Sequence, residues 1–262
     1  MYYGDCRWID IRDLNKDETV VVCPLASVEQ HGHHLPILTD TYLVTGVADG
    51  VHERLGDKVV LTPTLWLGAS DHHLDFPGTI TVPNTLYTEM IKNMLRCFVR
   101  AGFRRVFFLN GHGGNQTPGS NAITEMANSC DACDSTLVTL ASYWIISQPV
   151  MSAERHGMTS KQLSHAGEYE TSMMLHLKKE LVHMEMAKGQ PPTIDTPFYS
   201  TENGGRVSFA SRFYRQTETG ALGSPEFSTA EKGESLLNAI IDEVTAFIED
   251  FLTWEHLPVL KK

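Results

Sequence analysis

Thr19-Val20-Val21-Val22-Cys23-Pro24-Leu25-Ala26 is an unbroken apolar run of strand length, and it passes directly into the polar, histidine-rich stretch Ser27-Val28-Glu29-Gln30-His31-Gly32-His33-His34-Leu35-Pro36-Ile37-Leu38-Thr39-Asp40. A short run without polar alternation is what a strand buried on both faces requires. A polar loop at its carboxyl end is where open α/β sheets place their ligands. Working outward, 42–55 is helix-like and Lys58 to Leu67 reads as a second strand. Pro83-Asn84 opens a helix in which Leu86, Met90, Ile91, Met94, Leu95, Phe98 and Val99 recur at spacings of three and four, giving one buried stripe that closes at Ala101-Gly102. Arg105 to Asn110 is the next strand, and Gly111 to Asn115 is a glycine-rich turn into another helix. Thr136 to Ala141 reads as a strand and Glu168 to Leu181 as a helix. Leu236, Leu237, Ile240, Ile241, Val244, Phe247, Ile248, Phe251 and Leu252 mark an amphipathic C-terminal helix. Strands alternating with helices of this length predict an α/β fold with a mainly parallel central sheet flanked by helices, formed by residues 1–262 as one domain. The Gly/Ser/Pro-rich region 189–228 has weak periodicity and reads as long loops or short hairpins near the site.

The 262 residues are 42% hydrophobic and 20% charged, enough apolar material for a core. A formal net charge of -11 argues against nucleic acid or an anionic membrane as partner. No apolar run approaches the roughly 20 residues of a membrane span, and MYYGDCRWIDIRD lacks the basic start and apolar stretch of a signal peptide. A cytoplasmic protein is the expectation. The five cysteines are scattered; Cys130 and Cys133 form a lone CxxC with no second pair to complete a zinc site, so reduced thiols are expected.

Four segments carry chemistry. In the loop after the first strand, Glu29 and His31 are two apart, so in an extended chain their side chains leave on the same side, and Asp40 stands at a helix entry. Carboxylate, imidazole and carboxylate form a mixed O/N set suited to Zn²⁺ or Mn²⁺. His112 lies in Asn110-Gly111-His112-Gly113-Gly114-Asn115, a turn whose backbone N–H groups can approach a ligand. His165-Ala166-Gly167-Glu168-Tyr169-Glu170-Thr171-Ser172 opens a helix with two acidic residues, which the helix dipole alone would also favour. Gly68-Ala69-Ser70-Asp71-His72-His73, running on to Phe76-Pro77-Gly78-Thr79, offers paired histidines that suit either ligands or hydrogen-bonding walls.

In this order the four segments, SxEQHGxHLPxxTD at 27–40, GxSxHHxxFPGT at 68–79, NGHGGN at 110–115 and HAGExETS at 165–172, resemble the creatininase (creatinine amidohydrolase) family. The resemblance implies an α/β three-layer sandwich, a homohexamer, and two divalent ions (Zn²⁺, Mn²⁺ or Fe²⁺) with no organic cofactor. It implies hydrolysis of C–N bonds in a small-molecule amide, lactam or formamide. Carried over by position, one ion would be held by Glu29, Asp40 and His112, the other by His31, Asp40 and Glu170. His165 would donate the proton and Ser70 would contact substrate. Where creatinine-cleaving members carry a bulky aromatic and a metal-binding Glu after the His of the turn, this chain has Gly113 and Gly114. Water or Glu168 is then expected to complete that shell. A Trp found in those enzymes before the HA motif is replaced around Lys161-Gln162, leaving Trp144 as the nearby tryptophan. Creatinine itself is therefore doubtful as substrate, and Gly113, Glu168 and Trp144 join Ser70 as expected substrate contacts. Two other readings stay open: lyase or isomerase chemistry on a sugar-like substrate at the same metals, since an activated hydroxide can act as a base, and a non-catalytic assembly subunit.

Overall fold

The computed structural model describes residues 1–129, 134–201 and 204–256, so the Cys130–Cys133 pair lies outside the described residues. In chain order the elements are α1 (Trp8–Asp13), β1 (Val20–Leu25), α2 (Thr39–Leu55), β2 (Val59–Leu61), α3 (Asn84–Arg100), β3 (Arg105–Asn110), α4 (Gln116–Ser129) and β4 (Leu137–Ser142). The short α5 (Tyr143–Ile146) and α6 (Ala153–His156) follow, then α7 (Glu168–Leu177), β5 (Tyr199–Ser200), β6 (Gly204–Gly205) and α8 (Ala230–Thr253).

The main sheet has the order β2-β1-β3-β4. All three pairings are parallel, with Val20 opposite Val59, Val21 opposite Val106 and Arg105 opposite Leu137. All six residues of β1 are buried, as the unbroken apolar run requires. The pleat sends successive side chains to opposite faces. Val20, Val22, Phe107 and Leu109 pack with residues of α2, α7 and α8, whereas Val21, Cys23, Leu25, Val106 and Phe108 pack with residues of α3 and α4. These are the three layers of the sandwich. No helix of the described residues is long and apolar enough to cross a membrane.

Several boundaries differ from the sequence reading. The strand expected over Lys58 to Leu67 is regular only at Val59–Leu61. Beyond it, Thr62 N still donates to Val22 O (3.0 Å) and Leu65 N to Pro24 O (2.9 Å), but Pro63 between them has no N–H to give and interrupts the ladder. In α3 the buried stripe is Tyr87, Ile91, Leu95 and Phe98, with Leu86 half exposed. The helix from Glu168 ends at Leu177 instead of Leu181, because the chain turns at Lys178 to bring His183 N to His34 O (2.9 Å). Within 189–228 the β5–β6 pair is antiparallel, a short hairpin as expected.

Helix α8 lies so close to α7 that a Cβ at Gly233 would overlap the carbonyl oxygen of Ser172. Alanine is preferred to glycine by ~0.8–1 kcal/mol in a free helix, whereas forcing extra volume between packed elements costs ~1–3 kcal/mol. Since the obstacle is backbone on a packed helix, the second effect should win. Gly233→Ala is expected to lower Tm by several degrees in a thermal melt; an unchanged or raised Tm would show that the two helices are free to separate.

Candidate metal centre

Glu29 and His31 lie on the loop that follows β1, His112 on the turn that follows β3, and Asp40 and Glu170 in the first turns of α2 and α7. Leaving β1, the chain is held extended by Glu29 N donating to Ile37 O (3.0 Å) and by the Val28–Ile80 bridge, and it enters α2 with Asp40 in the first turn, where a carboxylate suits the helix dipole. Gly111 N donates to Leu25 O (2.8 Å), tying the β3 turn to the end of β1. Asn110 Nδ2 donates to His112 O (2.7 Å) and its Oδ1 accepts from His112 N (3.2 Å). At the other end of the turn Asn115 Nδ2 donates to Ala26 O (3.0 Å) and its Oδ1 accepts from Ala69 N (3.0 Å). The two asparagines of NGHGGN are therefore staples, and they fix where His112 points. On α7, Glu170 accepts from Ala166 N (2.7 Å), an N–H aimed by the left-handed backbone of Ala166 (φ 51°).

The structure brings Glu29, His31, Asp40, His112 and Glu170 together, all buried. Asp40 lies between two groups. Its Oδ1 is 3.0 Å from His31 Nε2, which is in turn 3.9 Å from Glu170 Oε2. Its Oδ2 is 3.0 Å from His112 Nδ1, which is 3.3 Å from Glu29 Oε2, and it also accepts from Ser27 Oγ (2.7 Å). Ligand atoms of His31, Asp40 and Glu170 lie within 4.8 Å of one another; Glu29, His72 and His112 form a second such set, and Glu29, His31 and His165 a third.

Burial would raise all three carboxylates. The His112 and His73 imidazoles nevertheless hold Glu29 well below the usual range, and His31 and His112 do the same for Asp40. Glu170, against the same burial but with His31 further off, is pushed up to about 7. Burial works against charged imidazoles too, yet Asp40 raises His31 to about 9, and Glu29 with Asp40 raises His112 well above its ordinary value. Metal-free, the centre therefore keeps protons on His31 and His112, where they balance the carboxylates. Buried Glu29 Oε2 makes no hydrogen bond. An orphaned carboxylate oxygen beside an imidazole nitrogen, in a set of carboxylates and imidazoles without thiolates, fits borderline divalent cations.

His165 joins the centre with Nε2 donating to Gln30 O (2.9 Å) and Nδ1 3.7 Å from Glu29 Oε1. Burial, with His31 nearby, lowers it to about 3, so the ring is neutral and its inward nitrogen is a lone pair, not a stored proton. Two expectations need correction. Glu168 does not reach the centre: its carboxylate accepts from Thr159 N (2.9 Å), Ser160 N (2.6 Å) and Lys232 Nζ (2.6 Å), because residues two apart on a helix leave it on nearly opposite sides. Ser70 is fully buried behind His112, its Oγ 3.1 Å from Nε2, and steadies that ring without lining the cavity. Gly113 and Trp144 do line the cavity.

Three residues outside the expected set also shape the site. Gln30 donates to His73 Nδ1 (2.9 Å) and Gly220 O (3.0 Å), which leaves His73 Nε2 as the proton-bearing nitrogen 3.4 Å from Glu29 Oε1. Phe213, from the aperiodic 189–228 region, packs its ring on His73 (4.3 Å) and His165 (4.6 Å). Gln30 sits inside the EQHG stretch and His73 was weighed as a wall residue; Phe213 has no local signal. The cavity over the centre measures about 630 Å³ and is lined by Trp144, Phe213, Gln116, Gln148 and Lys161 among others. The flat apolar surface expected to be missing is thus partly supplied by Trp144 and Phe213, while Tyr143 and Tyr169 are buried in the core.

A family model described as creatinine amidohydrolase matches residues 4–248. The chain is 26% identical to the 3-dehydro-scyllo-inosose hydrolase of Thermotoga maritima over 100% of this chain and 86% of that one. It is 31% identical to the mycofactocin precursor peptide peptidase of Mycobacterium tuberculosis over 85% and 82%. A crystal structure of creatininase superposes with a TM-score of 0.81 at 25% identity, covering 97% of this chain and 98% of that one. Related creatininase structures include a zinc–zinc form and a manganese form. With the fold, the segments 27–40, 68–79, 110–115 and 165–172 and their convergence on one buried centre all in agreement, the chain belongs to the creatininase family of hydrolases.

Proposed function

We propose that this protein is a two-metal amidohydrolase acting on a small polar amide, lactam or formamide larger than creatinine. The observation that carries the reading is Asp40, whose two carboxylate oxygens each stand 3.0 Å from an imidazole nitrogen of a different ligand group. Glu29, Asp40 and His112 would hold one ion, and His31, Asp40 and Glu170 the other. Divalent ions held there would supply a water of lowered pKa and polarisation of the substrate carbonyl. The chain supplies the rest. His165 Nδ1 faces the centre as a free lone pair, so it is placed to take the proton of the attacking water and return it to the leaving nitrogen. Gln30 O fixes the tautomer that makes this possible.

The same ligands oppose a purely structural subunit, because a buried cluster of carboxylates has a desolvation cost that a scaffold has no reason to keep. The relatives are named hydrolases, which favours hydrolysis over lyase or isomerase chemistry. A cavity of about 630 Å³ falls within the roughly 300–1,000 Å³ that enclose a drug-sized ligand. Trp144 and Phe213 offer apolar faces, and Gln116, Gln148 and Lys161 offer polar or cationic contacts. We further infer a cytoplasmic homo-oligomer, the family's hexamer being the expected size, which size-exclusion chromatography with light scattering would measure.

Elemental analysis after dialysis without chelator should find close to two divalent ions per chain. Asp40→Ala should weaken both by more than about 100-fold, since loss of a mere supporting residue already costs 10–100-fold. Exposed His33→Ala should leave metal content unchanged. A folded wild-type protein that ignores added Zn²⁺ and Mn²⁺ would refute the assignment.

Binding should also release protons. His31, raised to about 9, and His112, raised further above its ordinary value, are protonated at pH 7 without metal, and each must give up its inward proton to an ion. On the order of two protons should leave when both ions bind at pH 7, with a fraction more from Glu170. Affinity should rise with pH between 7 and 9. Calorimetry in buffers of different ionisation enthalpy measures this, and buffer-independent heats would contradict it.

For the metal-loaded protein, creatinine turnover should fall below kcat/KM of about 10⁴ M⁻¹s⁻¹, the lower end for ordinary enzyme–substrate pairs. Within a panel of amides, lactams and formamides, a larger polar member should be cleaved faster. Creatinine at or above that value would reverse the inference from cavity size.

A further inference from the structure

The loop 65–82 runs along one wall of the centre and is held at several points: by bridges from Leu25 to Leu65, Gly68 to Thr81 and Val28 to Ile80, and by Thr81 Oγ1 accepting from Ser70 N (2.7 Å) and donating to Asp71 Oδ1 (2.9 Å). On the one 3₁₀ turn of this loop, Asp71–His73, the two imidazoles are used differently. Both nitrogens of His73 are engaged, one with Gln30 and one facing Glu29. His72 is not engaged in this way. Among the described residues neither of its ring nitrogens makes a hydrogen bond, although the residue is partly buried and lines the cavity. Its ring stacks on His112 at 5.8 Å and 13°, and one nitrogen lies within 4.8 Å of ligand atoms of both Glu29 and His112.

The space it occupies is matched to the turn beside it. A Cβ at Gly114 would overlap the carbonyl oxygen of Ala69, press to 2.5 Å from His112 Nε2 and lie 3.1 Å from His72 Cε1. The turn of this chain therefore has no room for a side chain at position 114, and the ring beside that turn is His72. Glu168, the other residue considered for the role, is held by Thr159, Ser160 and Lys232.

We propose that His72 is a ligand of the ion held by Glu29 and His112. This rests on the two-metal reading and adds a ligand to it. The ion then has two imidazoles, Glu29 and a share of Asp40, whereas the ion at His31, Asp40 and Glu170 has one imidazole and two carboxylates. Imidazole-rich sets favour Zn²⁺, and carboxylate-rich sets accept Mn²⁺ more readily. The two ions of this chain accordingly differ, with Zn²⁺ held at the His72 side and the Glu170 side the more exchangeable.

The test compares wild type with His72→Phe, which keeps the stacked ring without its nitrogens, and with His72→Gln in case phenylalanine disturbs folding. Thermal melts of the metal-free proteins check the fold. Zn²⁺ affinity is read by competition with a chromophoric chelator, and the ligand field by the visible absorption of Co²⁺-loaded protein. The expected result is one Zn²⁺ weakened by at least about tenfold, the other within about threefold of wild type, and an altered Co²⁺ band, while His31→Ala weakens the other ion. Two tightly held ions and an unchanged Co²⁺ spectrum in His72→Phe or His72→Gln would overturn the proposal and make His72 a wall residue, leaving the two-metal reading intact. Failure of wild type to bind any divalent ion would instead overturn both.

Discussion

Three carboxylates, Glu29, Asp40 and Glu170, are buried within a few ångströms of one another, and much of the architecture answers to that concentration of negative charge. Removing an ionised carboxylate from water without a partner is far costlier than any single packing contact can offset. Compensation comes from several directions. His31 and His112 carry protons when no ion is present, Ser27 Oγ and Ala166 N donate hydrogen bonds, and the first turns of α2 and α7 supply the positive ends of helix dipoles. The positive φ of Ala166 belongs to the same account, since a strained residue is retained where its N–H is needed.

What sets the spacing between these groups is the sheet. β1 and β3 are adjacent and parallel, so the 26–40 loop and the 111–115 turn leave the same edge side by side. α2 and α7 pack on one face of that sheet, and the close contact of α7 with α8 leaves no slack in the depth of Glu170. The clustered side chains need no long reach, because each begins on or beside an element whose position is fixed by a core of Val, Leu, Ile and Phe.

That Glu29, His31, Asp40, His112 and Glu170 would converge could be read from the sequence because each lies in a polar stretch that interrupts strongly apolar neighbours, and the joint order of the stretches is informative where each alone is not. The parallel sheet was legible for the same reason: β1 throughout, and β3 from Val106 to Leu109, are apolar and cannot face water on either side. Glu168 was misjudged although its spacing from Glu170 contained the answer, since two residues on a helix separated by two positions diverge by about 200°. The strand over 58–67 was overextended because periodicity does not register the missing N–H of Pro63. Phe213 was illegible in principle: it belongs to a region without periodicity, and only tertiary folding carries it onto His73 and His165.

Three of the histidines at the centre share one device. His31 Nδ1 donates to Glu29 O (3.2 Å), His112 Nε2 to Ala69 O (3.1 Å) and His165 Nε2 to Gln30 O (2.9 Å). In each case the acceptor is a backbone carbonyl, which can only accept, so the outward nitrogen must keep its hydrogen whatever happens at the inward one. The ring orientation is then independent of whether a proton or an ion sits inside, and exchanging one for the other breaks no outer hydrogen bond. His165 differs only in its neighbours. With no carboxylate as close to its inward nitrogen as Asp40 is to those of His31 and His112, it stays neutral when they are charged. The same anchoring therefore leaves two rings protonated beside Asp40 and one neutral, and distance to Asp40 is the variable that separates them.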